Sequence, residues 1–235
     1  MTVAARLAAV RAAVPPGVTL VAVSKAQPAA AIREAHAAGQ RDFGENYAQE
    51  WREKADALRD LEELRWHFIG ALQTNKVKLI AGRVHAIHTV DRAELAREIS
   101  RRFLQKGAVA RVFLEVNVGG EASKAGCAPE AAPALAEAVR ALPAVELVGL
   151  MTVPPPEGDP RPHFRRLRAL REHVELLAVR REDGTRPRPP AAVAPVLHGG
   201  RPAGLRRPVV LEGDPDDVLD KRLVEARAVR VPRQG

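Results

Sequence analysis

Two patterns of apolar and polar positions alternate along the chain. Short apolar runs with no polar face read as strands buried on both sides of a parallel sheet. Longer stretches with apolar residues every three or four positions read as amphipathic helices. In order, Val3–Ala13 is expected to be a helix closed by Pro15-Pro16, and Val18–Lys25 a strand. Pro28–Ala38 follows as a helix with proline in its first turn and Gly39 as its carboxyl cap. Asp42–Tyr47 reads as a short strand and loop, Glu50–Leu64 as a helix, Arg65–Gly70 as a strand and Leu72–Ile80 as a helix. Val84–Val90, Arg111–Val118 and Val145–Val153 are further expected strands, alternating with helices over Ala93–Gln105, Ala131–Leu142 and His163–Leu177.

This βα alternation runs through about six units, which points to an α/β fold with a parallel sheet. A (β/α) TIM-type barrel is the most economical form, its last two βα units divergent or missing. An open doubly wound sheet is the alternative. It has less support, since no GxGxxG follows the first strand and Gly119-Gly120 is an isolated pair.

The pattern breaks near Leu177. Residues 178–235 contain no Ile, Met, Phe, Tyr, Trp or Ser, and one lysine against eleven arginines. Eight prolines interrupt this segment, and only short apolar runs such as Val209–Leu211 and Leu223–Val229 remain. Such a composition does not readily supply two more buried strands with their helices. The expected division is therefore a barrel unit over 1–177 and a divergent, Arg/Pro-rich, poorly ordered segment over 178–235. Either a loose tail follows the barrel, or the reading frame of a GC-rich gene slips here. The second is favoured, because the helix just before the break belongs in the middle of a barrel.

Composition narrows the class. At 235 residues with 46% hydrophobic content, the chain can bury a substantial core. No apolar stretch approaches the roughly 20 residues that span a bilayer. The first fifteen residues lack an apolar signal core, so a cytoplasmic location is expected. Cys127 is alone, which rules out an intrachain disulfide and a cysteine-rich metal site. The net charge of +8 raises nucleic-acid binding, but the basic residues are scattered and aromatics make up only 3%. Stacking platforms are therefore scarce, and nucleic acid is not an expected partner.

Among candidate chemical groups, Lys25 stands out, because it ends the apolar run Leu20–Val23. At the carboxyl end of a core strand its amine points into the mouth of the fold. Desolvation there lowers an amine's pKa toward a nucleophilic, Schiff-base-competent form. The plainer reading is a solvated lysine that starts the next loop. His85 and His88 raise a metal site, but an i, i+3 pair on a strand faces opposite sides, which argues against chelation. Neither a Ser-His-Asp order nor a paired-carboxylate spacing stands out.

Five blocks together resemble the pyridoxal phosphate homeostasis proteins, the YggS/PROSC-type family, whose fold is similar to the N-terminal barrel of alanine racemase. They are Ala22–Lys25; Phe43–Asn46; His67–Gly70 with Leu72-Gln73 and Asn75-Lys76; Glu115–Asn117 with Lys124 and Gly126; and Gly149–Thr152. The resemblance covers about residues 5–175. It implies a barrel that binds pyridoxal 5′-phosphate (PLP) without established turnover, carrying the cofactor and buffering its supply. Lys25 matches the lysine that forms the Schiff base. Asn46 is then placed to donate its amide to the cofactor's phenolic oxygen, or else to cap the following helix. His67 is placed to pack by the cofactor ring, or else is a satisfied core histidine. Gln73, Asn75 and Lys76 either ring the mouth or are solvated. Glu115 and Asn117 alternate toward one face, and a buried carboxylate there needs a partner such as Lys124.

The implied partners are the small-molecule cofactor and apo PLP-dependent enzymes, with no membrane partner, for a monomer or weak homodimer. The family's Ser-Met-Gly-Met-Ser and Arg-Ile-Gly segments, which hold the phosphate, have no counterpart here. His198–Gly200 and Val229–Val231 sit where they would fall. Two other classes stay open. One is a PLP-dependent racemase-like enzyme, for which Tyr47 is the only tyrosine in the chain. The other is an interaction protein that uses its basic tail and needs no cofactor.

Overall fold

A computed structural model describes residues 2–121, 124–155, 157–179 and 207–211, with the backbone alone at 176–179 and 207–211. Seven parallel strands form one curled sheet, β1 (Val18–Val23), β2 (Asp42–Glu45), β3 (Arg65–Phe68), β4 (Ala86–Val90), β5 (Ala110–Glu115), β6 (Val145–Met151) and β7 (Arg207–Leu211). Their order across the sheet is β6-β5-β4-β3-β2-β1-β7. Helices α1 (Val3–Ala13), α2 (Ala29–Ala37), α3 (Ala48–Ala57), α4 (Val77–Ile80), α5 (Ala93–Gln105), α6 (Ala132–Arg140) and α7 (Arg161–Val179) fall between or before the strands.

Strand β7 pairs with β1 from Val18↔Arg207 to Ala22↔Leu211. In an eight-stranded barrel the last strand closes on the first, so β7 takes that last position. Among the described residues the 178–235 segment thus supplies a strand that contains the apolar triplet Val209–Leu211. Among the described residues no strand stands between β6 and β7, and the sheet is curled without closing there. The rest of 178–235 lies outside the described residues, as do His198–Gly200 and Val229–Val231.

Alternation along the strands sorts side chains to the two faces. Phe43, Trp66, Phe68, Ile87, Val112 and Leu114 join one buried cluster with Trp51 and Leu58 around α3 and Leu95, Ile99 and Phe103 of α5. That is the layer between sheet and helices, where burying each large apolar side chain contributes about 1.5–3 kcal/mol. The opposite parity faces the barrel interior. There Gly44 is crowded by Val21 and Ile69, whose nearest carbons would lie 3.3 and 2.7 Å from an added Cβ.

Element ends differ from the sequence expectation, most of all in two helices. The Glu50–Leu64 helix begins at Ala48 and stops at Ala57, with Glu63 at φ 61° in the connection that follows. The Leu72–Ile80 helix is a 3-10 turn over Thr74–Lys76 and a single α turn, α4. Both stretches carry the right periodicity, yet the short path back to the next strand leaves no room for more turns.

Candidate functional site

The carboxyl ends of β1 and β2 lie side by side. Val23 pairs with Gly44, and Gly44 pairs with His67. Two residues farther along the chain in each case come Lys25 and Asn46, just past the carboxyl ends of β1 and β2. Lys25 is half-buried, in the turn just after β1. Asn46 precedes α3, but no side chain caps that helix, whose N-cap is Tyr47. The capping alternative therefore does not hold. Instead the Asn46 Oδ1 is buried without a hydrogen-bond partner.

Gly70 explains how that amide reaches the mouth. A Cβ on Gly70 would lie 2.2 Å from the Asn46 carbonyl oxygen. Only glycine lets the two strand ends approach so closely. The blocks Phe43–Asn46 and His67–Gly70 thus combine outward-facing core residues with an inward residue at the mouth.

His67 lies one level below. Its Nε2 is 3.0 Å from Asp42 Oδ1 and its Nδ1 is 2.9 Å from His88 Nε2. The ring is buried, so the core-histidine alternative describes its nitrogens. Asp42 also accepts two hydrogen bonds from Arg65, at 2.8 and 2.6 Å. Burial pushes the Asp42 carboxyl up, but the bonds from His67 and Arg65 outweigh this and hold it below its ordinary value. An ionised Asp42 accepts from the His67 Nε2–H, and Nδ1 shares the remaining hydrogen bond with His88 Nε2. Burial holds the His88 pKa well below 6.5 and, with the charge of His67 and Arg111, lowers that of His85 to about 4.

One sequence expectation is corrected here. His85 and His88 do not face opposite sides, because His85 precedes β4 and escapes its alternation. Both rings stand about 5 Å from His67, at 5.2 and 5.1 Å between centroids. Among the described residues no group of three or more His, Cys, Asp or Glu could hold a metal ion.

At the mouth end of β5, Glu115 is buried and lines a cavity of about 200 Å³ together with Asn117, Lys124 and Val153. Lys124 pairs with Glu121 at 3.1 Å and with the Pro154 carbonyl at 3.0 Å, and not with Glu115. Burial, with the charge of Asp91, raises the Glu115 pKa to about 7. Burial likewise raises the Cys127 thiol to about 11, which keeps it protonated and unreactive at neutral pH. Asn117 is spent on its own loop, bonding the Glu121 carbonyl and the Gly120 N–H. Gln73, Asn75 and Lys76 are exposed after β3.

The sequence reading missed a second set of residues behind the lysine. Glu45 and Lys54 are buried and ion-paired at 2.7 Å, on the helix side of β2. A lysine inside the periodic α3 pattern was the only hint available.

The family model for the alanine racemase N-terminal domain matches residues 2–192. A pyridoxal phosphate homeostasis protein of Pseudomonas aeruginosa is 51% identical over 158 residues, covering 67% of this chain and 68% of that protein. The chain belongs to the pyridoxal phosphate homeostasis protein family. Among solved structures, PipY of Synechococcus elongatus with PLP bound is 36% identical at a TM-score of 0.70, covering 75% of this chain and 84% of that one. Alanine racemase from Corynebacterium glutamicum, at 16% identity and a TM-score of 0.56, shares the fold. No helix among the described residues is long and apolar enough to cross a membrane.

Proposed function

We propose that this chain binds pyridoxal 5′-phosphate at Lys25 and serves its intracellular homeostasis as a carrier rather than a catalyst. The observation that carries the reading is the pairing of a half-buried lysine at the end of β1 with the unpartnered buried amide oxygen of Asn46. Buried polar atoms are almost always satisfied, so an orphan at a barrel mouth fits a ligand group that completes it. The family membership and the PLP-bound relative support the same cofactor.

When bound, the cofactor supplies an aldehyde that condenses with the lysine amine, with release of one water. For this, Lys25 must present an unprotonated amine held beside the aldehyde carbon. Asn46, with its amide turned to present Nδ2, donates to the phenolic oxygen. Ile69 and His67 form the floor, His67 through its ring face because both nitrogens are engaged.

The family-like binding unit is proposed to span 1–177, and 178–235, which adds β7 to its sheet, to be a divergent segment produced by a frame slip. Resequencing the coding region tests this, and an uninterrupted read of the same frame in close relatives would reject it. The carrier is proposed to be cytoplasmic, a monomer or weak homodimer, and to pass the cofactor to apo PLP-dependent enzymes.

Adding PLP to the full chain and recording the visible spectrum tests the site. The parent is expected to gain a Schiff-base band and Lys25→Ala none; an equal band in the variant rejects Lys25. Robust racemisation of an amino acid by the loaded protein would replace the carrier reading with an enzyme.

A further inference from the structure

The turn that carries Lys25 is held from behind by a buried charge cluster. Lys54 of α3 places its Nζ 2.7 Å from Glu45 Oε1 and 2.6 Å from Glu50 Oε1, and donates also to the Ser24 carbonyl. The Ser24 hydroxyl donates to the same Glu45 oxygen at 2.7 Å, and the Ser24 N–H to the Gly44 carbonyl at 2.9 Å. On the other side of Lys25, the Ala26 N–H donates to Glu50 Oε1 at 2.6 Å. Both neighbours of the lysine are therefore tied to one cluster, with Lys54 at its centre.

Two features make simple stabilisation a poor explanation. The first is the burial of charge. Glu45 is 0% exposed and Lys54 8%, and a buried ion pair is seldom more stable than apolar residues of the same volume. What it does supply is direction, since each bond fixes a named atom. The second is the backbone. Ala26 adopts φ 58°, in the left-handed region that strains a residue with a Cβ. The Glu50 carboxylate takes the N–H of this strained residue and Lys54 takes the carbonyl two residues before it. Released from both, the turn would relax and carry Lys25 away from the mouth.

We infer that Lys54, Glu45 and Glu50 are positioning residues that clamp the Ser24–Ala26 turn in a left-handed geometry and so fix the Lys25 amine for attack on an aldehyde. This rests on the reading of Lys25 as the attachment point. The three act through the backbone and side chain of the residues on either side of the lysine.

The test uses the full chain, PLP as the probe, and borohydride reduction followed by mass analysis of the Lys25 peptide. Wild type must first show the adduct; if it does not, the attachment site fails and the clamp is not what was refuted. Given that adduct, Glu50→Ala is expected to weaken PLP loading about tenfold or more, the loss of one or two charge-assisted hydrogen bonds. Glu50→Gln, which keeps an acceptor oxygen for Ala26, recovers most of it. Adding Ala26→Gly to Glu50→Ala recovers part, because glycine enters the left-handed region without strain. Equal loading by wild type and Glu50→Ala overturns the clamp. So does a loss that follows the unfolding midpoint equally in the Ala and Gln variants, because that would be a structural defect alone.

Discussion

The two ends of the barrel interior are built on opposite terms. Below the mouth, Asp42 and Arg65 at the starts of β2 and β3 join His67 and His88 farther along their strands in a chain of hydrogen bonds, and the His88 ring stacks on Phe113 at 4.5 Å. At the carboxyl ends, the Asn46 amide oxygen is unpaired, the Glu115 carboxyl faces a cavity, and Ala26 holds a strained backbone. Polar groups at the bottom are satisfied by each other, and those at the mouth are left for something else to satisfy. Barrel folds divide in this way, with stability at the amino end and chemistry at the carboxyl end. Substitutions of Asp42 and Arg65 at the bottom should therefore cost mainly stability, and those at the mouth mainly loading.

The largest effect is expected at the bottom. Asp42→Ala strands the buried His67 N–H and should cost up to about 3 kcal/mol of stability at neutral pH in denaturant unfolding. The Asp42 pKa is depressed in the folded protein, so its contribution is present above about 3.8 and lost as pH falls through the folded value. The stability gap between parent and variant should thus narrow below pH 4. A gap independent of pH would break this half of the comparison.

Glu115→Gln should have the opposite sign. The Glu115 pKa is raised from 4.5 to about 7, so its contribution is full below 4.5 and lost as pH rises through 7. Replacing it should gain about 2 kcal/mol at pH 8 and almost nothing at pH 4, read from thermal unfolding at both values. A destabilised variant at pH 8 would show that Glu115 is satisfied after all. The smallest stability change is expected for Asn46→Ala, within about 1 kcal/mol, since its buried oxygen has no bond to lose. PLP loading should nevertheless fall severalfold in a visible titration, and unchanged loading would remove Asn46 from the site.

Much of the bottom layer and little of the mouth could be read from the sequence. The helix over Ala93–Gln105 stands where hydrophobic periodicity puts it, and the strand expected over Val145–Val153 starts at Val145 and stops two residues short, at Met151. Lys25 stood out in the sequence because a lysine after an apolar strand breaks the pattern. The closeness of Asn46 and Gly70 was not, since it is a contact across strands that no spacing encodes. Nor was the Lys54 cluster, which joins Glu45 of β2 to Glu50 and Lys54 of α3 and forms only when α3 packs on β2. The His85–His67 approach was missed because a strand's alternation was extended one residue beyond its end.

The account depends most on Lys25 as the point of attachment. Its most direct measurement is the mass of the Lys25 peptide after the full chain is mixed with PLP and reduced with borohydride. The prediction is one pyridoxyl adduct on Lys25, absent from Lys25→Ala. An adduct spread over other lysines, with Lys25 unmodified, would contradict it.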